Sequence, residues 1–261
     1  MSLESRHFRL PISDCRFRFA TTHLLSKQFS HVERLKSAIG NRQSKMHDSR
    51  LPIMNEVAAI LLAAGRSKRM GAFKPLLPFG PSTVIESCIE NLRLARVEQI
   101  VVVVGHRAEE IKERLNVANV SCVLNPDPRS EMSASIACGI RQLDSSVKAA
   151  VVALSDQPAI PAAVVHNLIT QWRQGAKVVK PEFEGHGGHP VLIDLDYRKE
   201  LLNLDPNGGL KAFFASHKSE VCRLAVDSPF VARDMDTWDD YVSLHHEVFG
   251  FGPNLQAARP N

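Results

Sequence analysis

The stretch VAAILLAAGRSKRMGAFKPLLP, Val57 to Pro78, sets an unbroken apolar run against a glycine-bounded basic loop. Val57 to Leu62 is short, continuous and apolar, the pattern of a strand buried on both faces of a parallel sheet. Ala63, Ala64 and Gly65 follow and are small enough for the backbone to turn closely around a ligand. Arg66, Lys68, Arg69 and Lys74 then place four cations within nine residues. A basic run in isolation is most simply a solvated face. The strand before this one and Gly71 within it favour an anion site instead. Two phosphate-loop patterns do not fit: five residues separate Gly65 from Gly71, against the spacing of a Walker A loop, and no G-x-G-x-x-G fingerprint occurs.

Outward from this stretch the chain alternates strand and helix patterns, as a doubly wound α/β sheet requires. Strands are expected at Val57 to Leu62, Gln99 to Val104, Val120 to Leu124, Ala149 to Leu154 and Lys177 to Lys180. Pro190 to Ile193 and Val221 to Val226 are expected to add a partly antiparallel region. Helices are expected over Thr83 to Ala95, Ala108 to Asn116, Ser133 to Gln142, Pro161 to Gln174, Gly209 to Ser216 and Thr237 to Phe249.

Composition bounds the rest. A length of 261 residues suits one sizeable α/β domain. Five widely spaced cysteines without a C-x-x-C pair argue for a reducing, cytoplasmic setting and against a disulfide framework or a zinc site. Residues 1 to 50 hold ten Lys or Arg against four Asp or Glu, which more than accounts for the net charge of +4. The basic character is therefore poor evidence for nucleic-acid binding by the domain. These residues contain no signal-peptide core and no membrane-spanning run. Residues 1–53 read as a basic extension, disordered or translated from an early start codon, 54–249 as the domain, and 250–261 as a flexible tail.

Later segments also carry chemistry. Asp156, in Leu154-Ser155-Asp156-Gln157-Pro158, stands at the carboxyl end of a central strand, the edge where open α/β sheets bind ligands. Such a carboxylate can hold Mg²⁺ facing a basic loop, or it can cap the helix that begins near Pro161. Asp234 and Asp236 fall on one side of an extended segment, with N-capping as the rival role for Asp236. His186 and His189 flank a glycine turn and supply too few ligands for a closed zinc site.

Taken in order, Leu62-Ala63-Ala64-Gly65, Ser67, Arg69-Met70-Gly71, Lys74 and Leu76-Leu77-Pro78 resemble the LAAG-x-S-x-RMG signature of the MobA-like nucleotidyltransferases, and among them the molybdenum cofactor cytidylyltransferases. The resemblance runs from about residue 55 to 246. It implies a Rossmann-like, mostly parallel sheet of the nucleotide-diphospho-sugar transferase type, and a reaction joining CTP to molybdopterin with release of pyrophosphate. Guanylyl-transferring relatives typically carry a second glycine where Ala64 stands, so the resemblance leans towards CTP.

Carried onto this chain, the resemblance assigns nucleotide binding to Leu62, Ala63, Ala64, Gly65, Ser67, Arg69, Lys74 and Ser135. It assigns catalysis to Arg69, Lys74 and Asp156, and a metal, Mg²⁺ or alternatively Mn²⁺, to Asp156 and Asp236. The acceptor falls to Gly188, His189 and Pro190, with Gly208, Gly209 and Lys211 as a further anion site. The chain departs from the pattern at Glu131, where glycine is common, and at Trp238, where proline is usual. A molybdenum hydroxylase or its chaperone is the implied client; neither nucleic acid nor membrane is an expected partner. The alternatives are GTP or another phosphorylated acceptor, an oxidoreductase, and a non-catalytic carrier of the cofactor.

Overall fold

A computed structural model describes residues 56–65, 70–115, 119–127 and 131–254. The expected extension at residues 1–53, the loop residues Arg66, Ser67, Lys68 and Arg69, and tail residues 255–261 lie outside the described residues.

Strand β1 (Val57–Ala63) is buried along its whole length. Its side chains divide by parity: Ala58, Ile60 and Leu62 enter one apolar layer, and Val57, Ala59, Leu61 and Ala63 the other. A strand with a period of two can fill both layers only when helices cover both faces of the sheet. Strand β4 (Gln99–Val104) does the same with a run of buried valines, each of which contributes about 1.5–3 kcal/mol by leaving water.

The remaining strands are β2 (Pro78–Phe79), β3 (Ser82–Thr83), β5 (Val120–Leu124), β6 (Ala149–Leu154), β7 (Val178–Phe183), β8 (His186–Gly187), β9 (Val191–Asp194) and β10 (Val221–Ala225). Among the described residues they form one large sheet in the order β10-β7-β9-β6-β1-β4-β5, with β8 on β7, and a separate β2-β3 hairpin. Within the large sheet, pairing is parallel except where β9 meets β6 and β7 and where β8 meets β7. The expectation of a partly antiparallel late region holds: β9 is antiparallel to both its neighbours, and β10 runs parallel to β7. The reason is that β9 returns alone between β6 and β7 and reverses only its own direction.

Helices α1 (Val84–Leu94), α2 (Ala108–Arg114) and α4 (Ala162–Arg173) supply one layer; α3 (Met132–Arg141), α5 (Arg198–Leu201) and α6 (Gly209–Ser216) supply the other. Thr83 and Glu86 start α1 with a reciprocal capping box, the Thr83 amide donating to the Glu86 carboxylate at 2.8 Å.

A third apolar cluster decides the site. Met70, Leu77, Phe79, Val84, Met235, Tyr241 and Leu244 clamp the last helix, α7 (Trp238–Phe249), to the segment after β1. The Tyr241 hydroxyl donates to the Pro78 carbonyl at 2.6 Å, and burial pushes its pKa up to about 12. Gly250, in the left-handed region, ends α7, and the Phe251 carbonyl lies 2.8 Å from His245 Nδ1. The start of the tail is thus docked on the helix it follows.

Candidate active site

Strands β1 and β6 are parallel neighbours, with Leu62 opposite Leu154. The chain leaves β1 for β4 on one side and later reaches β6 on the other, so the connections diverge here and open a crevice at the carboxyl ends. The Ser155 amide donates to the Leu62 carbonyl at 3.1 Å. This carries the pairing past the strands and holds Ser155-Asp156-Gln157 against Ala63-Ala64-Gly65. A Cβ at Gly65 would meet nothing within 4 Å. The crowding is at Gly105, where a Cβ would stand 2.9 Å from the Ala64 carbonyl oxygen. The glycine that makes room for Ala64 is therefore Gly105 at the end of β4, a position sequence reasoning missed.

Lys74 opens a short 3-10 turn, Lys74–Leu76, and is only 8% exposed. Its ammonium donates to Asp236 Oδ1 at 2.8 Å and lies 3.5 Å from Asp156 Oδ2. Burial raises the Asp156 pKa above the ordinary carboxylate range; the Lys74 charge opposes this and the Asp234 charge adds to it. Asp236 reaches the ammonium because Met235 beside it is buried in the third cluster.

Both rival capping roles fall away. Thr237 is the N-cap of α7: its hydroxyl accepts from the Asp240 amide, and the Asp240 carboxylate accepts from the Thr237 amide at 2.7 Å and the Asp236 amide at 3.1 Å. Helix α4 starts at Pro161 with no side-chain cap. Neither the Asp156 nor the Asp236 carboxylate caps a helix, and both contact the ammonium. Asp234, the other acid of its segment, accepts from Gln157 Nε2 at 2.9 Å. Gln157 thus ties the Asp234-Met235-Asp236 segment to the end of β6, a contact no sequence pattern signalled.

Two carboxylates from separate elements converging on one positive charge suit a hard divalent cation, which takes one or two carboxylates and completes its shell with water and substrate phosphates. Among the described residues no group of three or more His, Cys, Asp or Glu side chains could hold a metal alone. His186 is exposed in β8.

On the acceptor side, the His189 amide donates to the Val231 carbonyl at 2.9 Å, and His189 Nδ1 lies 3.5 Å from the Val152 carbonyl. Burial lowers the His189 pKa; the Lys180 charge lowers it further, while the Val152 carbonyl and Asp234 oppose the shift. Gly188 is obligatory in this contact, since a Cβ there would stand 1.7 Å from the Val231 carbonyl oxygen. The His189–Pro190 bond is cis, and Pro190 is buried.

Ser135, expected at a helix start, lies inside α3, where its hydroxyl accepts from Asn125 Nδ2 at 2.9 Å in a buried pair. Glu131, the departure from the expected pattern, is exposed just before the helix. At α6 the Asp205 carboxylate accepts from the Asn207 amide at 3.2 Å. An acid beside that helix start disfavours the anion expected near Lys211. Ser67 and Arg69 lie outside the described residues.

The family described as "MobA-like NTP transferase domain" matches residues 59–222. The chain is 24% identical to the molybdenum cofactor cytidylyltransferase of Escherichia coli strain K12, over 73% of this chain and 96% of that protein. It is 27% identical to the nicotine blue oxidoreductase of Paenarthrobacter nicotinovorans, over 76% of this chain and all of that protein. A solved structure from Mycobacterium sp. strain JC1 superposes with a TM-score of 0.66 at 31% identity, covering 74% of this chain and 97% of that one. A Mycobacterium tuberculosis protein solved in complex with manganese superposes at 0.62 with 25% identity, covering 73% and 98%.

Proposed function

Because this chain belongs to the MobA-like NTP transferase domain family, and so is a nucleotidyltransferase, we propose that its nucleotide is CTP and its acceptor molybdopterin, yielding molybdopterin cytosine dinucleotide and pyrophosphate. The observation that carries this reading is the Lys74 ammonium held by Asp236 and Asp156 at the β1–β6 crevice. The likeness to the E. coli cytidylyltransferase and the alanine at position 64 support the base and the acceptor.

In this reaction the acceptor's terminal phosphate attacks the α-phosphorus, the bond from that phosphorus to the bridging oxygen breaks, and pyrophosphate leaves with the electron pair. Mutual repulsion of the phosphates is the obstacle. Lys74 binds the leaving β- and γ-phosphates, and Arg69 takes the same role by its place in the motif. Ala63, Ala64 and Gly65 offer their backbone to the nucleotide, with Leu62 beneath them. The nucleophile is already an anion at neutral pH, so no general base is required of the chain. Asp156 and Asp236 would hold Mg²⁺ or Mn²⁺, which when bound supplies charge neutralisation and Lewis acidity; the manganese complex of the mycobacterial neighbour supports a divalent ion. His189, neutral through burial, hydrogen-bonds the acceptor.

No helix among the described residues is long and apolar enough to cross a membrane. The four described cysteines are free thiols, as in a reducing compartment.

The test is pyrophosphate release by the purified chain with Mg²⁺ and molybdopterin, offering CTP, GTP and ATP separately and repeating with Asp156→Ala. Release with CTP that the variant abolishes is expected. Preference for GTP would replace the base, and silence with all three would remove the acceptor. The nicotine blue oxidoreductase relative supports a second reading, a redox reaction; saturable binding of a reduced nicotinamide would favour it over nucleotidyl transfer.

A further inference from the structure

Lys180 lies on β7, two residues after Val178 and so on the same face, in the apolar layer that also holds Phe213. Its ammonium stands 5.5 Å from the centre of the Phe214 ring, within cation–π range. The neighbouring hairpin makes room for it: a Cβ on Gly187 would come within 2.5 Å of Lys180 Cε and 2.8 Å of Nζ. Glu182, the acid next on its strand face, is taken by Arg223 at 2.9 Å. Among the described residues no carboxylate pairs with Lys180.

A partly exposed ammonium with no protein carboxylate on it is open to an anion supplied from outside. Its position says which anion. The Lys180 charge reaches His189, and the Asp234 charge reaches both His189 and Asp156. Gly187, against which the Lys180 side chain lies, adjoins Gly188 and His189 of the acceptor turn, so Lys180 sits beside that turn. The nucleotide's phosphates are assigned to Lys74 instead. A lysine, a compact point charge on a flexible stem, suits a small or spherical anion better than a planar one.

We propose that Lys180 is a specificity-determining residue that binds a second anionic group, carried by the acceptor at the end remote from its reacting phosphate. Its place in the reaction rests on the nucleotidyl-transfer reading; the anion site itself does not. Acceptors whose only charge is the reacting phosphate leave Lys180 unpaired and are the poorer substrates.

The test uses inorganic sulfate as the probe and the His189 imidazole as the reporter, followed by NMR titration and assigned with a His189→Gln variant. In the wild-type chain, sulfate should raise the pKa of His189 saturably, because the anion neutralises the nearby ammonium. In Lys180→Met the imidazole should start higher and lose its response to sulfate. Gly187→Ala, which keeps the charge but pushes the side chain aside, should weaken sulfate binding about tenfold. In the pyrophosphate assay Lys180→Met should raise the acceptor KM about tenfold or more and leave the nucleotide KM unchanged. If sulfate moves His189 equally in wild type and Lys180→Met, or moves it in neither, the assignment is overturned. If the wild type releases no pyrophosphate with any nucleotide, the transfer reading fails while the sulfate titration still decides Lys180.

Discussion

Lys74 and Asp236, separated by 162 positions in the chain, meet at 2.8 Å in a site where the lysine is nearly sequestered from solvent. The ammonium contacts both carboxylates proposed above to hold a divalent cation, so on that reading cation and lysine would compete for them. On the same reading, a bound triphosphate would draw the ammonium towards its phosphate oxygens and leave the carboxylates to the cation. Metal and nucleotide should therefore bind with positive coupling.

Removing the lysine tests this directly. Lys74→Met should bind Mn²⁺ more tightly than wild type in the absence of nucleotide, measured by the loss of the free-ion EPR signal. The coupling to CTP should disappear, and pyrophosphate release should fall by on the order of 100-fold or more. Chelation with EDTA should abolish release in the wild type, and added Mg²⁺ or Mn²⁺ should restore it.

Asp156 should trade stability for activity. Its pKa is raised in the folded chain, chiefly by burial, so the folded state holds a proton more tightly than the unfolded state. Stability then falls as pH rises from the unfolded value, near 3.8, through the folded one. Asp156→Asn should be inactive yet more stable at neutral pH, by about 0.5–2 kcal/mol. The gain should shrink to nothing below pH 4, which urea denaturation across pH would show.

His189 works in the opposite sense. Its pKa is lowered from 6.5, first by burial, so below that value the unfolded chain takes up a proton that the folded chain declines. Its contribution is complete above about pH 7 and is lost as pH falls through 6.5 towards the folded value. His189→Gln should remove this part of the pH dependence of the denaturation midpoint.

Two glycines separate packing from binding. Gly188→Ala forces a Cβ against the Val231 carbonyl and should cost about 1–3 kcal/mol, seen as a lower Tm together with a raised acceptor KM. Gly65→Ala meets no atom within 4 Å and should leave the Tm unchanged. If the nucleotide lies over this loop, its KM alone rises.

Much of the fold is legible locally. The valine run of β4 and the apolar run of β1 have no polar face to expose, so they are buried strands wherever they are placed. The helices announce themselves through amphipathic spacing and caps, as with Thr83 and Glu86. Lys180 and Gly187 gave no signal, because a lysine at a strand end and a glycine in a turn are ordinary until their side-chain space is seen to coincide. Ser135 shows the same limit: its spacing marks a helix near the crevice, but its bond to Asn125 depends on how β5 ends.

By itself the sequence determined the alternation of strand and helix, the run of basic residues that follows β1 in the chain and the acid at the end of β6. These follow from side-chain period and from residues adjacent in the chain, and they hold in any packing. Only the tertiary structure decided that Asp236 faces Lys74 rather than capping α7, that Gln157 anchors Asp234, and that β9 alone runs backwards through the centre of the sheet. Each of those outcomes depends on which distant groups share a cavity or a ladder. Apolar burial and hydrogen-bond satisfaction settle that over the whole chain at once, so no local window contains it.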